Sequence, residues 1–265
     1  MKDTVTPTAL SAQDISVLLH ELLEMAEAMI GAGAEVNRVE DTLSRMGKAY
    51  GACRMDVLVI TTSGVITILF PDGQELTQTR RIVGPGSTNF IRLEKLNALS
   101  RECCRSPLPL NELQQRMDDI LSQKPSVTIQ YIGSVFSAGA FAVFFGGNLW
   151  DGLVAALFGT VICFLQQKFT LICRSKMVFN LLAALLSGLG VAAVTALFPA
   201  LHTDKIIIGD IMLLIPGLAT THSVRDIMMG DTISGIMRLI ECLLWAAALA
   251  FGFMIAIRLT GGWIA

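Results

Sequence analysis

The distribution of apolar and charged residues divides this chain near residue 125. Before that point Lys, Arg, Asp and Glu occur every few residues, whereas no charged residue lies between Pro125 and Trp150. An apolar run of this length can cross a hydrocarbon core of about 30 Å as a helix. The pattern therefore predicts a water-soluble head, residues 1–124, followed by a membrane-embedded tail, residues 125–265.

Apolar spacing in the head changes from a helical period to a strand period and back again. The spacing of about four residues gives way to β-rich segments, and Pro71-Asp72-Gly73 marks a turn between two of them. The head is thus predicted to be a helical α+β domain. Its predicted helices are Asp14–Ile30, Ala34–Tyr50, Phe90–Cys104 and Leu110–Gln123, and its predicted strands are Met55–Ile60, Val65–Phe70 and Gln74–Val83.

The tail is predicted to be an α-helical transmembrane bundle of about five helices. Glycine and other small residues are frequent in it, as close helix packing in lipid requires. The fourth helix is expected to break at Pro216-Gly217. The predicted spans are Thr128–Gly147, Leu149–Gln167, Val178–Ala200, Ile206–Val224 and Leu239–Leu259.

Charge and cysteine content narrow the function classes. A formal net charge of −2 and the lack of a Lys/Arg run argue against a nucleic-acid partner. Six cysteines show no zinc-site or disulfide spacing, so reduced thiols and no metal are expected.

Lys168, Arg174 and Lys176 follow the second predicted span. Because positively charged loops tend to remain on the cytoplasmic side, this loop predicts a cytoplasmic head and an extracytoplasmic C-terminus.

The fourth predicted span contains groups that hydrocarbon tolerates poorly. Asp210 falls about one turn inside it, where a carboxylate must be neutral, paired or in contact with water. Pro216 and Gly217 follow, and broken helices recur at transporter substrate sites. The simpler alternative is a kink beside an interfacial acid, because proline is tolerated in membrane helices.

A second polar group follows the break: Arg225, Asp226, Asp231, Ser234, Arg238 and Glu241. In a helix, Asp231, Ser234, Arg238 and Glu241 share one face, and Arg238 can pair with Glu241. This face either lines a permeation path or forms a salt-bridge cluster that closes a loop at the membrane surface.

The head carries a further polar face, on which Glu35, Arg38, Asp41 and Thr42 lie three or four residues apart. A solvated helix face with ion pairs is the ordinary explanation.

No nucleophile has a histidine partner nearby in the sequence, and no Gly-Lys-Ser/Thr phosphate loop is present. We therefore expect neither an enzyme with catalytic residues nor a cofactor.

Two separated motifs resemble those of the threonine/serine exporter family. The first is the stretch from Gly33 to Thr42, which includes Glu35, Arg38, Glu40, Asp41 and Thr42. The second matches the membrane signature of the family at Gly209-Asp210, Pro216-Gly217, Arg225-Asp226, Gly230-Asp231, Ser234-Gly235, Arg238 and Glu241. The resemblance runs from about Asp14 to Leu259.

The resemblance implies a secondary transporter in the bacterial plasma (inner) membrane. Full-length members have about ten membrane helices, so about five helices resemble the split form, in which a smaller membrane subunit supplies the rest. In the split form the cargo has been linked to small dicarboxylates such as succinate, and in the family name to threonine and serine. A coupling proton and a higher oligomer are further expectations.

The implied translocation path comprises Asp210, Pro216, Gly217, Arg225, Asp226, Asp231, Ser234, Arg238 and Glu241. Proton coupling would use Asp210 or Asp231, and Arg225 or Arg238 would suit a carboxylate of the substrate. Two alternatives remain open. One is a membrane-anchored regulatory or scaffold protein whose head binds a partner, and the other is a membrane-attached enzyme with its active site in the head.

Overall fold

The computed structural model describes residues 11–82, 88–169 and 175–261. These residues form two compact units. The first unit runs to Lys124 and also includes Thr221–Arg238, and the second contains Pro125–Thr220 and the chain from Leu239 onward. The sequence predicts that the tail begins at residue 125 and includes Thr221–Arg238, whereas in the structure this segment packs within the first unit.

The described residues of the first unit up to Lys124 form four helices and a three-stranded antiparallel sheet of order β1-β2-β3. The predicted succession of helices and strands is confirmed, except that Val83, the predicted end of the third strand, lies outside the described residues. The elements are α1 (Ala12–Gly31), α2 (Val36–Ala49), β1 (Arg54–Ile60), β2 (Ser63–Leu69), β3 (Glu75–Arg81), α3 (Phe90–Arg105) and α4 (Leu110–Ser122).

Helix α1 supplies much of the core of this unit. It begins with a capping box, in which Ser11 and Asp14 satisfy each other's backbone N–H groups. Leu18, Leu22 and Met29 on its apolar face are fully buried. The helix ends before Gly33, whose φ of +96° permits the left-handed turn into α2.

All the described secondary-structure elements of the apolar part of the chain are helices. Four of its helices are long and apolar enough to cross a membrane, and a bent pair would make a fifth span. The helices are α5 (Val127–Phe144), α6 (Leu149–Phe169), α7 (Lys176–Leu197), α8 (Thr203–Leu214), α9 (Gly217–Met228) and α10 (Thr232–Leu259).

Two of the predicted spans differ in detail from the structure. The fourth is two helices, α8 and α9, bent by 52° at Ile215-Pro216, as expected from a proline that cannot continue the hydrogen-bond ladder. The fifth begins at Thr232 rather than Leu239. It is longer because the polar residues before Leu239 keep helical backbone bonds, with the Gly235 amide donating to the Asp231 carbonyl.

Small residues set the packing of the second unit. A Cβ added to Gly188 of α7 would approach the Ala256 Cβ to 2.7 Å, and one added to Gly252 of α10 would approach the Ala184 Cβ to 2.6 Å. Glycine at both positions therefore allows α7 and α10 to pack closely. Such contacts replace the hydrophobic drive that helices lack in lipid.

Candidate functional site

A cleft of about 650 Å³ lies within the first unit. Helices α2, α3 and α9 contribute its lining. Its cationic groups are Arg38, Arg45, Arg101, Arg105 and Arg225, and its acidic groups are Glu35, Asp41 and Asp226. The two motifs singled out in the sequence thus meet in one place, since Arg225 and Asp226 come from the second motif and the other acids from the first.

Asp226 holds the start of α2. Glu35, the N-cap residue of this helix, makes no capping hydrogen bond with its side chain. Instead the Asp226 carboxylate accepts a hydrogen bond from the Val36 amide, and Arg238 Nη1 donates to Asp226 Oδ2 at 3.2 Å. Asp226 is 1% exposed, and the Arg238 side chain is 11% exposed. The pair is therefore a buried structural contact, capping α2 from a distant part of the chain.

Glu35 is engaged by the residue next to Asp226. Its Oε1 lies 2.8 Å from Arg225 Nη1, and the Arg225 side chain is largely exposed. Consecutive residues of α9 thus contact the beginning of α2, Arg225 through an exposed ion pair with Glu35 and Asp226 through a hydrogen bond from the Val36 amide. The predicted pairing of Arg238 with Glu241 is wrong, because Arg238 reaches Asp226 instead.

The remaining residues of the first motif have different environments. Arg38 and Asp41 line the cleft, and Asp41 pairs with Arg45 at 2.9 Å. Thr42 also lines it, but its hydroxyl donates to the Arg38 carbonyl at 2.8 Å. Glu40 accepts a hydrogen bond from the Val59 amide at 2.7 Å, which ties α2 to β1.

Asp231 and Ser234 also belong to the first unit. The negative charge of Asp231 contributes to raising the pKa of Glu40 above its ordinary value, with burial of Glu40 as the larger cause. Asp231 Oδ2 is buried and has no hydrogen-bond partner among the described residues. Ser234 is 2% exposed.

The second unit contains the buried carboxyl group that the sequence singled out. Asp210 of α8 is fully buried, and its Oδ2 accepts a hydrogen bond of 2.5 Å from Ser187 Oγ of α7. Within the described part of the chain its Oδ1 has no partner. The neighbouring Gly209 brings α8 close to α5, since a Cβ there would lie 2.6 Å from the Ala138 carbonyl oxygen. Asp210 is thus inside the helix packing, not at an interface with solvent.

The break after α8 has its own hydrogen bonds. Pro216 has no N–H, so the Met212 carbonyl cannot receive the usual helical bond. The Pro216 carbonyl accepts from the Thr220 amide at 3.0 Å and from the Thr220 hydroxyl at 2.8 Å. The first turn of α9 is therefore stabilised by a side chain directly after the bend.

Glu241 belongs to the second unit, whereas Asp231, Ser234 and Arg238 belong to the first. Glu241 acts electrostatically on Lys176 of α7. The Lys176 ammonium also lies 4.8 Å from the centre of the Trp245 ring. The helical face predicted from Asp231 to Glu241 is therefore divided between two units.

Sequence reasoning missed a second buried acid, Asp151. Asn148 and Asp151 form a reciprocal capping box at the start of α6, with bonds of 2.8 and 2.9 Å. Asp151 is fully buried and also accepts from the His202 amide at 2.8 Å, while His202 Nδ1 lies 2.9 Å from it. The signal was present as Asn-x-x-Asp directly before an apolar run.

One group of side chains has the composition of a cation ligand set. His20, Glu21 and Glu24 of α1 place one ligand atom each within 4.8 Å of one another. Arg80 already lies 3.6 Å from Glu24 and 2.8 Å from Glu27. Of the two carboxylates in this group, Glu24 therefore already has a guanidinium partner.

Comparison with known proteins decides the family. The ThrE family model, which describes threonine/serine exporters, matches residues 20–260. The chain belongs to the threonine/serine exporter family. The matched range includes the residues of the cleft, the buried Asp210 and the bend at Pro216.

Three curated relatives are each 22% identical to this chain. The "Probable threonine/serine exporter" of Mycobacterium tuberculosis and the "Threonine/serine exporter" of Corynebacterium glutamicum align with 89% of the chain but with only 45% and 50% of their own lengths. The chain thus spans about half the length of these two relatives. The "Probable succinate transporter subunit YjjP" of Klebsiella aerogenes aligns with 91% of the chain and 94% of its own length. No solved structure matches.

Proposed function

We propose that this chain is one subunit of a secondary transporter that exports a small polar metabolite across the bacterial plasma membrane. Its family is one of exporters, and four to five of its helices can span a membrane. We further propose that residues 1–124 form a cytoplasmic domain, that residues 125–265 carry the membrane bundle, and that the C-terminus is extracytoplasmic. The cargo is a threonine- or serine-type amino acid or a small dicarboxylate such as succinate.

The observation that carries the proposal is the buried Asp210. Burying a carboxyl group in the interior of a membrane bundle costs free energy, and such groups usually mark a functional site. One of its oxygens is bound to Ser187 and the other has no partner among the described residues, so it can accept a proton or a cationic group. A membrane anchor for a regulatory domain, the alternative function, has no need of such a group, whereas a transport path does.

The break at Pro216 and Gly217 supports the same role. Pro216 lies six residues after Asp210, or about 9 Å of helix rise, so both lie at membrane depth in a span of ordinary length. The interrupted ladder leaves the Met212 carbonyl available to a substrate, a cation or water. We propose that the path continues through Arg225, Asp226, Asp231, Ser234, Arg238 and Glu241. The buried Asp226–Arg238 ion pair would hold this part of the path in place.

A second membrane subunit completes the proposed transporter. The relative aligned over 94% of its length is itself named a transporter subunit, and the two named exporters are about twice as long as the region they share with this chain. Secondary transporters are commonly built from repeated halves. The proposed partner supplies the other half of the path.

The test is export from proteoliposomes containing the chain with and without the smaller subunit of its own genome, using labelled succinate, threonine and serine. We expect export by the pair and not by this chain alone. Asp210→Asn keeps the size of the side chain and removes its titration. It should insert normally but lose export, or export at a rate that no longer depends on pH.

Ser187→Ala is the matched comparison, because it removes the hydrogen bond to Asp210 and leaves the carboxyl group in place. It should retain export with an altered pH profile. If Asp210→Asn exports normally at every pH, the buried carboxyl group has no part in transport. If the single chain exports as fast as the pair, the proposed two-subunit path is wrong.

A further inference from the structure

The arginine-rich cleft of the first unit shares Arg225 and Asp226 with the proposed path, but its other arginines, Arg38, Arg45, Arg101 and Arg105, have no part in that path. We infer that it is a binding site for a small dianion, carrying two carboxylates or a phosphate group. This inference goes beyond the proposed function, since it concerns what the first unit binds and does not depend on which metabolite is exported.

The charge balance of the cleft is the first support. Its lining contains five arginines against three carboxylates. Two of those arginines are matched, Arg45 by Asp41 and Arg225 by Glu35, while Asp226 is bound to Arg238. Within the described residues, no carboxylate lies within ion-pair distance of Arg38, Arg101 or Arg105. The cleft therefore carries uncompensated positive charge on a concave surface, which concentrates anions.

Its cysteine does not supply the missing negative charge. Cys104 lines the cleft, and burial is the main cause that raises the pKa of its thiol above the ordinary value. The thiol is therefore neutral at physiological pH. The uncompensated charge is left for a ligand.

The kind of cation indicates the kind of anion. Among the described residues, every basic side chain that lines the cleft is an arginine, and the planar guanidinium group binds carboxylate and phosphate oxygens through two parallel hydrogen bonds. Arg38 lies on α2, whereas Arg101 and Arg105 lie one turn apart on α3. Two cationic positions on separate helices suit a ligand with two negative charges better than a zwitterion such as threonine.

The position of Cys104 provides a direct assay. Full-length chain in lipid nanodiscs would be alkylated with a maleimide, and labelling at each cysteine would be followed by peptide mass spectrometry. Cys53 is also exposed but does not line the cleft, so it reports any general effect on reactivity. The added probes are succinate, inorganic phosphate and threonine, with sodium chloride at matched ionic strength.

We expect succinate or phosphate to slow labelling of Cys104 and to leave labelling of Cys53 unchanged. Whichever of the two protects Cys104 at the lower concentration shows whether the site prefers a dicarboxylate or a phosphate group. Arg38→Gln and Arg101→Gln should each raise the concentration needed for protection about tenfold or more, as for loss of a charged hydrogen bond. Arg81→Gln is the matched control, because Arg81 is exposed on β3, outside the cleft. It should change nothing.

Protection by threonine or sodium chloride equal to that by the dianions would overturn the inference. So would a lack of protection by both dianions, or protection that survives the arginine substitutions. The assay measures binding and not export, so a chain that binds succinate but exports nothing would contradict the proposed function alone.

Discussion

The two ion pairs at the start of α2 give a prediction that the structure makes quantitative. Asp226–Arg238 is nearly buried, with exposures of 1% and 11%, and Glu35–Arg225 is open, with exposures of 19% and 60%. Substituting methionine for either arginine removes one charge and keeps an apolar stem of similar length. The two substitutions therefore compare the same chemistry at different depths.

Removing one partner of a buried ion pair costs about 3–5 kcal/mol, because the other charge remains buried. Asp226 keeps the Val36 amide as a donor, so we expect Arg238→Met to lie near the low end, about 3 kcal/mol. An exposed pair contributes about 0–1 kcal/mol, so Arg225→Met should cost less than about 1 kcal/mol.

Amide hydrogen exchange of the full chain in nanodiscs measures the difference locally. A loss of about 3 kcal/mol corresponds to exchange roughly a hundredfold faster at the Val36 amide, whose acceptor is Asp226. Adding Asp226→Asn to Arg238→Met should recover much of the protection, since a neutral amide oxygen still accepts from Val36. Equal exchange in the Arg238→Met and Arg225→Met variants would refute the assignment of Asp226 as the cap of α2.

Two further predictions concern stability. Burial raises the pKa of Glu21 from the ordinary value of 4.5 to about 7, so between these pH values the folded chain holds a proton that the unfolded chain releases. The contribution of Glu21 to stability is therefore complete below pH 4.5 and lost as the pH rises through about 7. Glu21→Gln should flatten the pH dependence of chemical unfolding in that range, and an unchanged profile would contradict the shifted pKa. Gly209→Ala should destabilise the protein by about 1–3 kcal/mol, because the added Cβ would be overpacked against Ala138. Gly133→Ala is the control, because a Cβ added at Gly133 has no other atom within 4 Å. Similar thermal stabilities of the two variants would contradict the close contact of α8 with α5.

Periodicity predicted the element types well, because the apolar faces that it detects are also the faces that pack. The face of α1 with Leu18 and Leu22 is buried as expected, and the interruption at Pro216 is where a missing N–H requires it. Helix ends were predicted less well. The early start of α10 at Thr232 depends on polar residues whose helical state is set by their packing in the first unit, which hydropathy does not register.

The partners of the candidate site residues could not be predicted from spacing along one helix. Helical spacing brought Arg238 and Glu241 within reach of each other. The partner that Arg238 takes, Asp226, lies on another helix, so local spacing could not reveal it. Asp151 was overlooked because a single acid at the start of an apolar helix is common, and only its contact with His202 shows that it joins two turns.

The acids of the second motif therefore divide by what surrounds them. Asp226 has an amide donor and a guanidinium group, so its charge is compensated and its role is to hold α2. Asp210 has one hydroxyl donor and no nearby cation among the described residues, so its charge is not compensated where it lies. A buried acid without a counter-charge is stable only when protonated or when it binds a cationic group. This difference, and not position in the motif, makes Asp210 the residue to test first for coupling.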